Sequence, residues 1–181
     1  MGRDLAGKRV ILTGASSGIG RALAWELATN RAKLLLVGRN EVELGITAKA
    51  VRDLGSEAHV CVADVASDAD RRRVIDETLK QFGGIDLLIN NAGVASWGHF
   101  STSEEHIVRG VMEVNFFAPV ELIRLAIPHL TNGDQPAIVN VSSMCGRKAM
   151  PAWPEYSASK FALCGITESL RGEMARFDID A

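Results

Sequence analysis

The sequence predicts an α/β fold, a doubly wound parallel sheet with helices on both faces, and three observations lead to it. Short, predominantly apolar runs recur along the chain, at Arg9 to Leu12, Leu34 to Val37, Ala58 to Val62, Ile85 to Ile89 and Ala137 to Val141. Continuous rather than alternating apolar character marks strands buried on both faces. Between the runs lie longer stretches of helical periodicity: Ile19 to Thr29, Glu41 to Leu54, Asp68 to Phe82, and Glu104 to Leu130 with an expected break. Strands alternating with helices need right-handed crossovers, so the strands are parallel and a ligand belongs beyond their carboxyl ends.

Composition narrows the class. A chain of 181 residues that is 47% hydrophobic can bury one core, and residues 1–181 are read as a single domain. A net charge of −2, with both signs interspersed, advertises no face for nucleic acid or anionic lipid. Arg71-Arg72-Arg73 is the only basic run and is expected on a solvated helix face. Cys61, Cys145 and Cys164 form no CxxC pair, and His59, His99, His106 and His129 show no metal spacing, so no metal is expected and a reducing compartment fits. Met1 to Lys8 lacks an apolar leader core, and no apolar run approaches the ~20 residues of a bilayer span. The expectation is a soluble, cytoplasmic protein.

The first strand runs into Thr13-Gly14-Ala15-Ser16-Ser17-Gly18-Ile19-Gly20. Gly14 suits a turn with positive φ, Gly18 lets backbone approach a pyrophosphate, and Gly20 lets the following helix pack close to the strand. Phosphates would sit on the N–H groups at the helix start. An ordinary tight turn is the alternative. The second strand ends Gly38-Arg39-Asn40 and offers no carboxylate to a ribose 2′-OH. Arg39 suits a 2′-phosphate, or it faces water. Asp64, past the third strand, can accept from an adenine amino group or cap the helix that begins near Ser67.

The fourth strand leads to Asn90-Asn91-Ala92-Gly93, where the amides either meet a ligand or tie adjacent strands together. Pro119 clashes with the carbonyl of Asn115, so the helix should kink there and free a carbonyl able to hold a water. Asn115 capping a second helix half is the other reading. Ser143, just past the fifth strand, can donate to a substrate oxygen or form a local turn with its own backbone. The next helix is expected to begin at Tyr156, with Lys160 one turn on and on the same face. An ammonium beside a phenol favours the phenolate, which makes a base. An unrelated pair on a surface helix is the bland alternative. Small residues at Ala158, Ala162, Gly165, Ser169 and Gly172 form a stripe expected to lay this helix on the sheet, or against a partner helix. Trp97, Phe100, Met150 and Trp153 flank the cleft as core or as substrate contacts.

With Thr13-Gly14-x-x-x-Gly18-x-Gly20, Asn90-Asn91-Ala92-Gly93, Asn115, Ser143 and Tyr156-x-x-x-Lys160 in order, the sequence resembles the short-chain dehydrogenase/reductase family from Lys8 to about Phe177. The resemblance implies a Rossmann-like, dinucleotide-binding domain and an NADP(H)-dependent oxidoreductase acting on a small-molecule carbonyl or secondary alcohol, with NAD the lesser candidate. It implies that Tyr156 is the general acid/base, that Lys160 favours its ionised form and holds the nicotinamide ribose, that Ser143 positions the reacting oxygen, and that Asn115 holds a relay water. The cofactor-binding set it implies is Gly14, Ser16, Ser17, Gly18, Ile19, Gly20, Arg39, Asp64, Val65, Asn91, Ala92 and Gly93, with Tyr156 and Lys160. A homodimer or homotetramer is expected by the same resemblance. A nucleotide-binding scaffold or sensor without turnover is the competing class. The family pattern continues past Asp178-Ile179-Asp180-Ala181 with one or two further strands, so the natural polypeptide is expected to continue, and Ala137 to Val141 would otherwise present an apolar edge.

Overall fold

The computed structural model describes residues 3–181; Met1 and Gly2 of the N-terminal stretch lie outside the described residues. Five parallel strands, β1 (Arg9–Thr13), β2 (Lys33–Gly38), β3 (Ala58–Val62), β4 (Leu87–Asn90) and β5 (Ala137–Asn140), form one sheet in the order β3-β2-β1-β4-β5. Every apolar run of the sequence is a strand. The chain winds outward from β1 to β3 and then crosses back to β4 on the other side of β1. The carboxyl ends of β1 and β4 therefore border the crevice where the winding reverses, which is where open α/β sheets bind ligands.

The helices are α1 (Gly18–Thr29), α2 (Glu41–Asp53), α3 (Asp68–Phe82), α4 (Glu105–Met112), α5 (Ala118–Leu130) and α6 (Pro154–Met174). Alternate residues of each strand feed two cores. Val10, Leu12, Leu34, Leu36 and Ile89 pack under α1 and α2, against Ala24, Leu27, Leu44, Ala48 and Val51. Ile11, Leu35, Val37, Leu88 and Ile138 pack against Val74 and Ile75 of α3, Leu122, Ile123 and Ala126 of α5, and Met174 at the end of α6. Because both sheet faces are covered, each strand needs apolar residues at odd and even positions alike.

Several local expectations need correction. The stretch from Glu104 does not break at Asn115; α4 passes into α5 through a π-helical turn, Glu113–Phe117. The wider turn gives Ala118 a bond to Glu113 O and lets Pro119, which has no N–H, follow without ending the helix. Asn115 is therefore no helix cap. α6 begins at Pro154, two residues before Tyr156, because proline at the first helical position gives up an N–H that had no partner there anyway. Ser67 caps α3 with its side chain. Asp64 instead accepts from the Ala66 N–H at 3.0 Å. The small-residue stripe does not lie on the sheet: Ala158, Gly165, Ser169 and Gly172 are exposed, while Ser157, Ser159, Lys160 and Leu163 face inward. Of the basic run only Arg72 and Arg73 are solvated; Arg71 is buried and its Nη1 donates to Val65 O at 2.8 Å.

At the amino ends of the strands, Asp86 receives a two-pronged contact from Arg9, Nε to Oδ2 at 2.8 Å and Nη2 to Oδ1 at 2.6 Å. It also accepts the backbone N–H of Arg9 and of Asp134. Burial desolvates this carboxyl and pushes its pKa up, but the four donated bonds outweigh that and hold it below the usual aspartate value. Beside β5, Asp180 makes a single parallel bridge to Ala137, with Ile138 N donating to Asp180 O at 2.8 Å. The outer edge of β5 is thus paired at one point, where the sequence led one to expect it bare. No described helix is long and apolar enough to cross a membrane, and no group of residues that could hold a metal ion occurs among the described residues.

Candidate active site

The glycine loop between β1 and α1 is shaped by what it lacks. Gly14 has φ +67°, and a methyl group there would lie 2.8 Å from Asn91 Nδ2 and 2.9 Å from Ala92 Cα. A methyl at Gly20 would collide with Gly14 O and come within 2.6 Å of Asn91 Nδ2. Gly18, at φ +52°, has open space on that side. The three glycines therefore divide the work: two allow close packing and one leaves backbone exposed at the start of α1.

This loop is fastened to the one after β4. Thr13 Oγ1 accepts from the N–H groups of Asn91 and Ala92, both at 3.0 Å, and Asn91 Nδ2 donates to Thr13 O at 2.9 Å. Asn90 Nδ2 donates to Asn140 Oδ1 at 2.9 Å, tying β4 to β5. Both asparagine side chains thus serve to join neighbouring strands. Arg21, which the sequence did not single out, donates from Nη2 to Ser16 O and holds the loop from the α1 side.

Between the two loops lies a cleft of ≈ 380 Å³ lined by Gly14, Ser16, Ser17, Gly18, Ile19, Gly20, Gly38, Arg39, Ala63, Asp64, Val65, Asn91, Ala92, Gly93, Val94 and Val114. Every residue expected to touch the dinucleotide through the loops and strand ends is in that lining. Gly38, Ala63, Val94 and Val114 had no sequence signal of their own. At its outer end the Arg39 side chain is largely exposed and its Nη1 stands 4.0 Å from Asp64 Oδ2, so an exposed cation and an anion face the same mouth.

The expected catalytic residues come from α6, the π-turn and the loop after β5. Lys160 is 4% exposed, its Nζ donates to Val141 O at 2.9 Å, and it stands 5.8 Å from the centre of the Tyr156 ring. Tyr156 is half-buried and meets Trp153 edge to face at 5.7 Å. Burial pushes the Lys160 ammonium below the ordinary lysine range, with Cys164 pushing back in the opposite direction. Asn115 is buried; its Oδ1 accepts from Val94 N at 2.9 Å, and its Nδ2 donates to Val94 O at 2.8 Å and to Ser159 Oγ at 3.0 Å. Ser159 in turn donates to Tyr156 O at 2.7 Å. Asn115 thus links the cleft wall to the tyrosine's own turn of helix through Ser159, a residue the sequence reading passed over although it lies inside Tyr156-Ser157-Ala158-Ser159-Lys160.

Glycines again show what is adjacent. A methyl at Gly93 would lie 3.3 Å from Asn115 Oδ1 and 3.8 Å from Lys160 Nζ, so the cleft wall touches both groups. A methyl at Gly146 would lie 2.8 Å from Lys160 O, which presses the short helical turn Met144–Gly146 onto α6. Ser143 caps that turn, its Oγ accepting from Cys145 N at 3.1 Å. The bond uses an acceptor lone pair, so the hydroxyl proton stays available to donate. Trp97 and Phe100 are 76% and 69% exposed and belong to the surface, not to the core.

Residues 8–181 match the family model described as short chain dehydrogenase. The chain belongs to the short chain dehydrogenase family. Among curated relatives it is 42% identical over 172 residues to 11-beta-hydroxysteroid dehydrogenase A of Sesamum indicum, covering 94% of this chain and 49% of that protein. It is 41% identical over 178 residues to 11-beta-hydroxysteroid dehydrogenase of Pinus massoniana, covering 96% and 49%. The chain spans about half the length of these curated relatives. Among solved structures, a short chain dehydrogenase/reductase from Burkholderia phymatum in complex with NAD superposes with a TM-score of 0.94 at 31% identity, over 98% of this chain and 64% of that one. Carveol dehydrogenase from Mycobacterium avium in complex with NAD gives 0.92 at 25% identity, over 97% and 69%.

Proposed function

We propose that this chain carries the cofactor-binding and catalytic residues of an NADP(H)-dependent oxidoreductase that interconverts a carbonyl and a secondary alcohol by hydride transfer. The observation that carries the proposal is Gly93: it lines the same cleft as the glycine loop and abuts both Asn115 and Lys160, so a dinucleotide site and a proton-handling site share one wall. Residues of the cleft fit a dinucleotide, since Gly14 and Gly20 let the loop close against Asn91 and Ala92 while the backbone at Gly18, at the start of α1, stays open to a ligand. Ser16, Ser17, Gly18 and Ile19 would hold the pyrophosphate at the start of α1. Asp64 and Val65 would meet the adenine, Asn91, Ala92 and Gly93 the middle of the dinucleotide, and Tyr156 with Lys160 the nicotinamide ribose. The preference for NADP(H) rests on Arg39, the cation at the end of β2 where no carboxylate stands.

When bound, the nicotinamide supplies or accepts the hydride. The residues of the chain handle the proton. In reduction a C–H bond forms at the carbonyl carbon, the C=O π bond opens, and Tyr156 gives its phenolic proton to the oxygen; oxidation reverses each transfer. Ser143 donates a hydrogen bond to the oxygen as its charge develops. Lys160 favours the tyrosinate left behind, and its ammonium is positioned by donating to the carbonyl of Val141. Asn115 fixes Val94 and, through Ser159, the first turns of α6, which keeps Tyr156 in line with the cleft. Relatives named for a hydroxysteroid and for carveol support an alcohol on an alicyclic skeleton. The outward stripe of small residues on α6 supports association into a homodimer or homotetramer through that helix.

The test is NADPH consumption against a panel of alicyclic ketones. Tyr156→Phe should lower turnover at least ~10²-fold while the NADPH titration stays within about twofold; turnover that survives in the phenylalanine variant removes the assignment. Arg39→Asp should reverse the preference between NADPH and NADH, and an unchanged ratio would remove the role given to Arg39.

A further inference from the structure

The loop from β3 to α3 leaves one backbone donor unclaimed. Ala63 N–H donates to Gly38 O at 2.9 Å, Asp64 N–H to Asp70 Oδ2 at 2.7 Å, Ala66 N–H to Asp64 Oδ1 at 3.0 Å and Ser67 N–H to Asp64 O at 2.9 Å. Among the described residues, the Val65 N–H alone in this stretch has no partner. Val65 belongs to the core cluster of Val74 and Ile75 and also lines the dinucleotide cleft, so what it offers the cleft is backbone. The direction follows from the peptide unit. Asp64 O is turned toward Ser67 at the start of α3, and across a trans peptide the Val65 N–H points the opposite way. Buried backbone donors are otherwise paired, so this one is left for a ligand.

The next peptide is held by Arg71, from inside α3. Its Nη1 donates to Val65 O at 2.8 Å and reaches Glu113 Oε1 of the π-turn at 3.4 Å, and its Nη2 stands 3.9 Å from Asp68 Oδ1. Arg71 is 8% exposed, and its Nε is buried without a partner. Buried ion pairs are often replaced by apolar side chains with no loss of stability, and an unpaired buried donor is a further cost. Stability alone therefore gives no reason for a guanidinium here. What it does, and an apolar side chain could not, is join the Asp64-Val65 end of the cleft to the turn that carries Asn115.

We propose that Arg71 is a positioning residue for base recognition: braced on Glu113, it holds Val65 so that the free N–H meets an unprotonated ring nitrogen, which favours adenine over a 6-oxo purine. The inference rests on the reading of the cleft as a dinucleotide site.

The matched probes are NADPH and its analogue with hypoxanthine in place of adenine. Exchange of the 6-amino group for an oxo group turns ring N1 from an acceptor into an N–H donor, which opposes the Val65 N–H. In fluorescence titrations of the full chain the wild type should bind NADPH at least ~100-fold more tightly than the analogue, as expected of a site that hydrogen-bonds the base edge. Arg71→Met, similar in length but without donors, should lower that ratio about tenfold, mainly through weaker NADPH binding. Arg71→Lys, which keeps a donor for Val65 O, should return the ratio to within about threefold of wild type. A wild type that binds both probes equally, a ratio unchanged in Arg71→Met, or one as low in Arg71→Lys as in Arg71→Met overturns the proposal and leaves the dinucleotide site standing. A wild type that binds neither probe removes the dinucleotide site and the inference together. If Arg71→Met does not fold, Glu113→Ala, which takes away the brace, must lower the ratio about threefold; an unchanged ratio overturns the proposal equally.

Discussion

The two halves of the cleft are built on opposite principles. On the side of β1 and α1, shape comes from side chains that are missing: Gly14 and Gly20 allow backbone and the Asn91 amide to close to distances no Cβ tolerates. On the side of α6 and the π-turn, shape comes from side chains that interlock, Val94 to Asn115 to Ser159 to Tyr156, with Lys160 anchored on Val141. The first half is rigid because nothing larger fits. The second is rigid because every buried polar group in the chain of bonds has a partner. A defect should therefore act differently in each: sterically and at once in the first, by orphaning a donor or acceptor in the second.

The largest effect is expected at Gly20. Gly20→Ala forces backbone apart at Gly14 O and should cost about 3 kcal/mol or more in urea unfolding, with loss of NADPH binding. A loss below about 0.5 kcal/mol would mean that the loop yields and is not shaped by steric exclusion. In the other half, Asn115→Ala strands the Val94 N–H and C=O and the Ser159 hydroxyl, an expected loss of about 2–3 kcal/mol. Asn115→Asp, which keeps the acceptor but not the donor, should recover only part of it. Equal stability of the wild type and both variants would dissolve the proposed network.

A control outside both halves is Asp86. Its folded pKa lies below the usual aspartate value, so its stabilisation is present above the unfolded value near ~3.8 and is lost as pH falls through the folded one. Asp86→Asn should cost about 2 kcal/mol at neutral pH, flatten the acid limb of the stability curve, and leave the intrinsic NADPH affinity unchanged. An acid limb identical to wild type would show that the Arg9 contact does not carry it. The smallest effect is expected at Gly18, which has a positive φ but open space: Gly18→Ala should cost about 1 kcal/mol through strain alone. A cost as large as that of Gly20→Ala would erase the distinction between the two glycines.

Most of the fold was legible because short apolar runs alternating with longer helical segments fit strands covered on both faces, and the five runs became the five strands of one parallel sheet. The loop residues of the cleft were legible for a related reason: glycines and short polar residues at strand ends have few roles, and those roles cluster at the carboxyl edge. What was not legible was how side chains distant in sequence resolve their alternatives. Asn90 and Asn91 could have met a ligand or tied strands, and the partners that give their side chains the tying role, Asn140 and Thr13, lie 50 and 78 residues away, while Asn91 also lines the cleft. Ser159 carried no signal because a small polar residue in a helix is unremarked until Asn115 stands opposite.

By itself the sequence determined the parallel α/β sheet, the placing of a glycine loop at its ligand-binding edge, and a tyrosine and lysine one helical turn apart, since these follow from periodicity and local geometry. Tertiary structure alone decided that α4 passes into α5 through a π-turn that buries Asn115 beside Gly93, and that the small face of α6 looks outward. Those outcomes depend on which groups packing leaves without water, and a linear pattern does not contain that information.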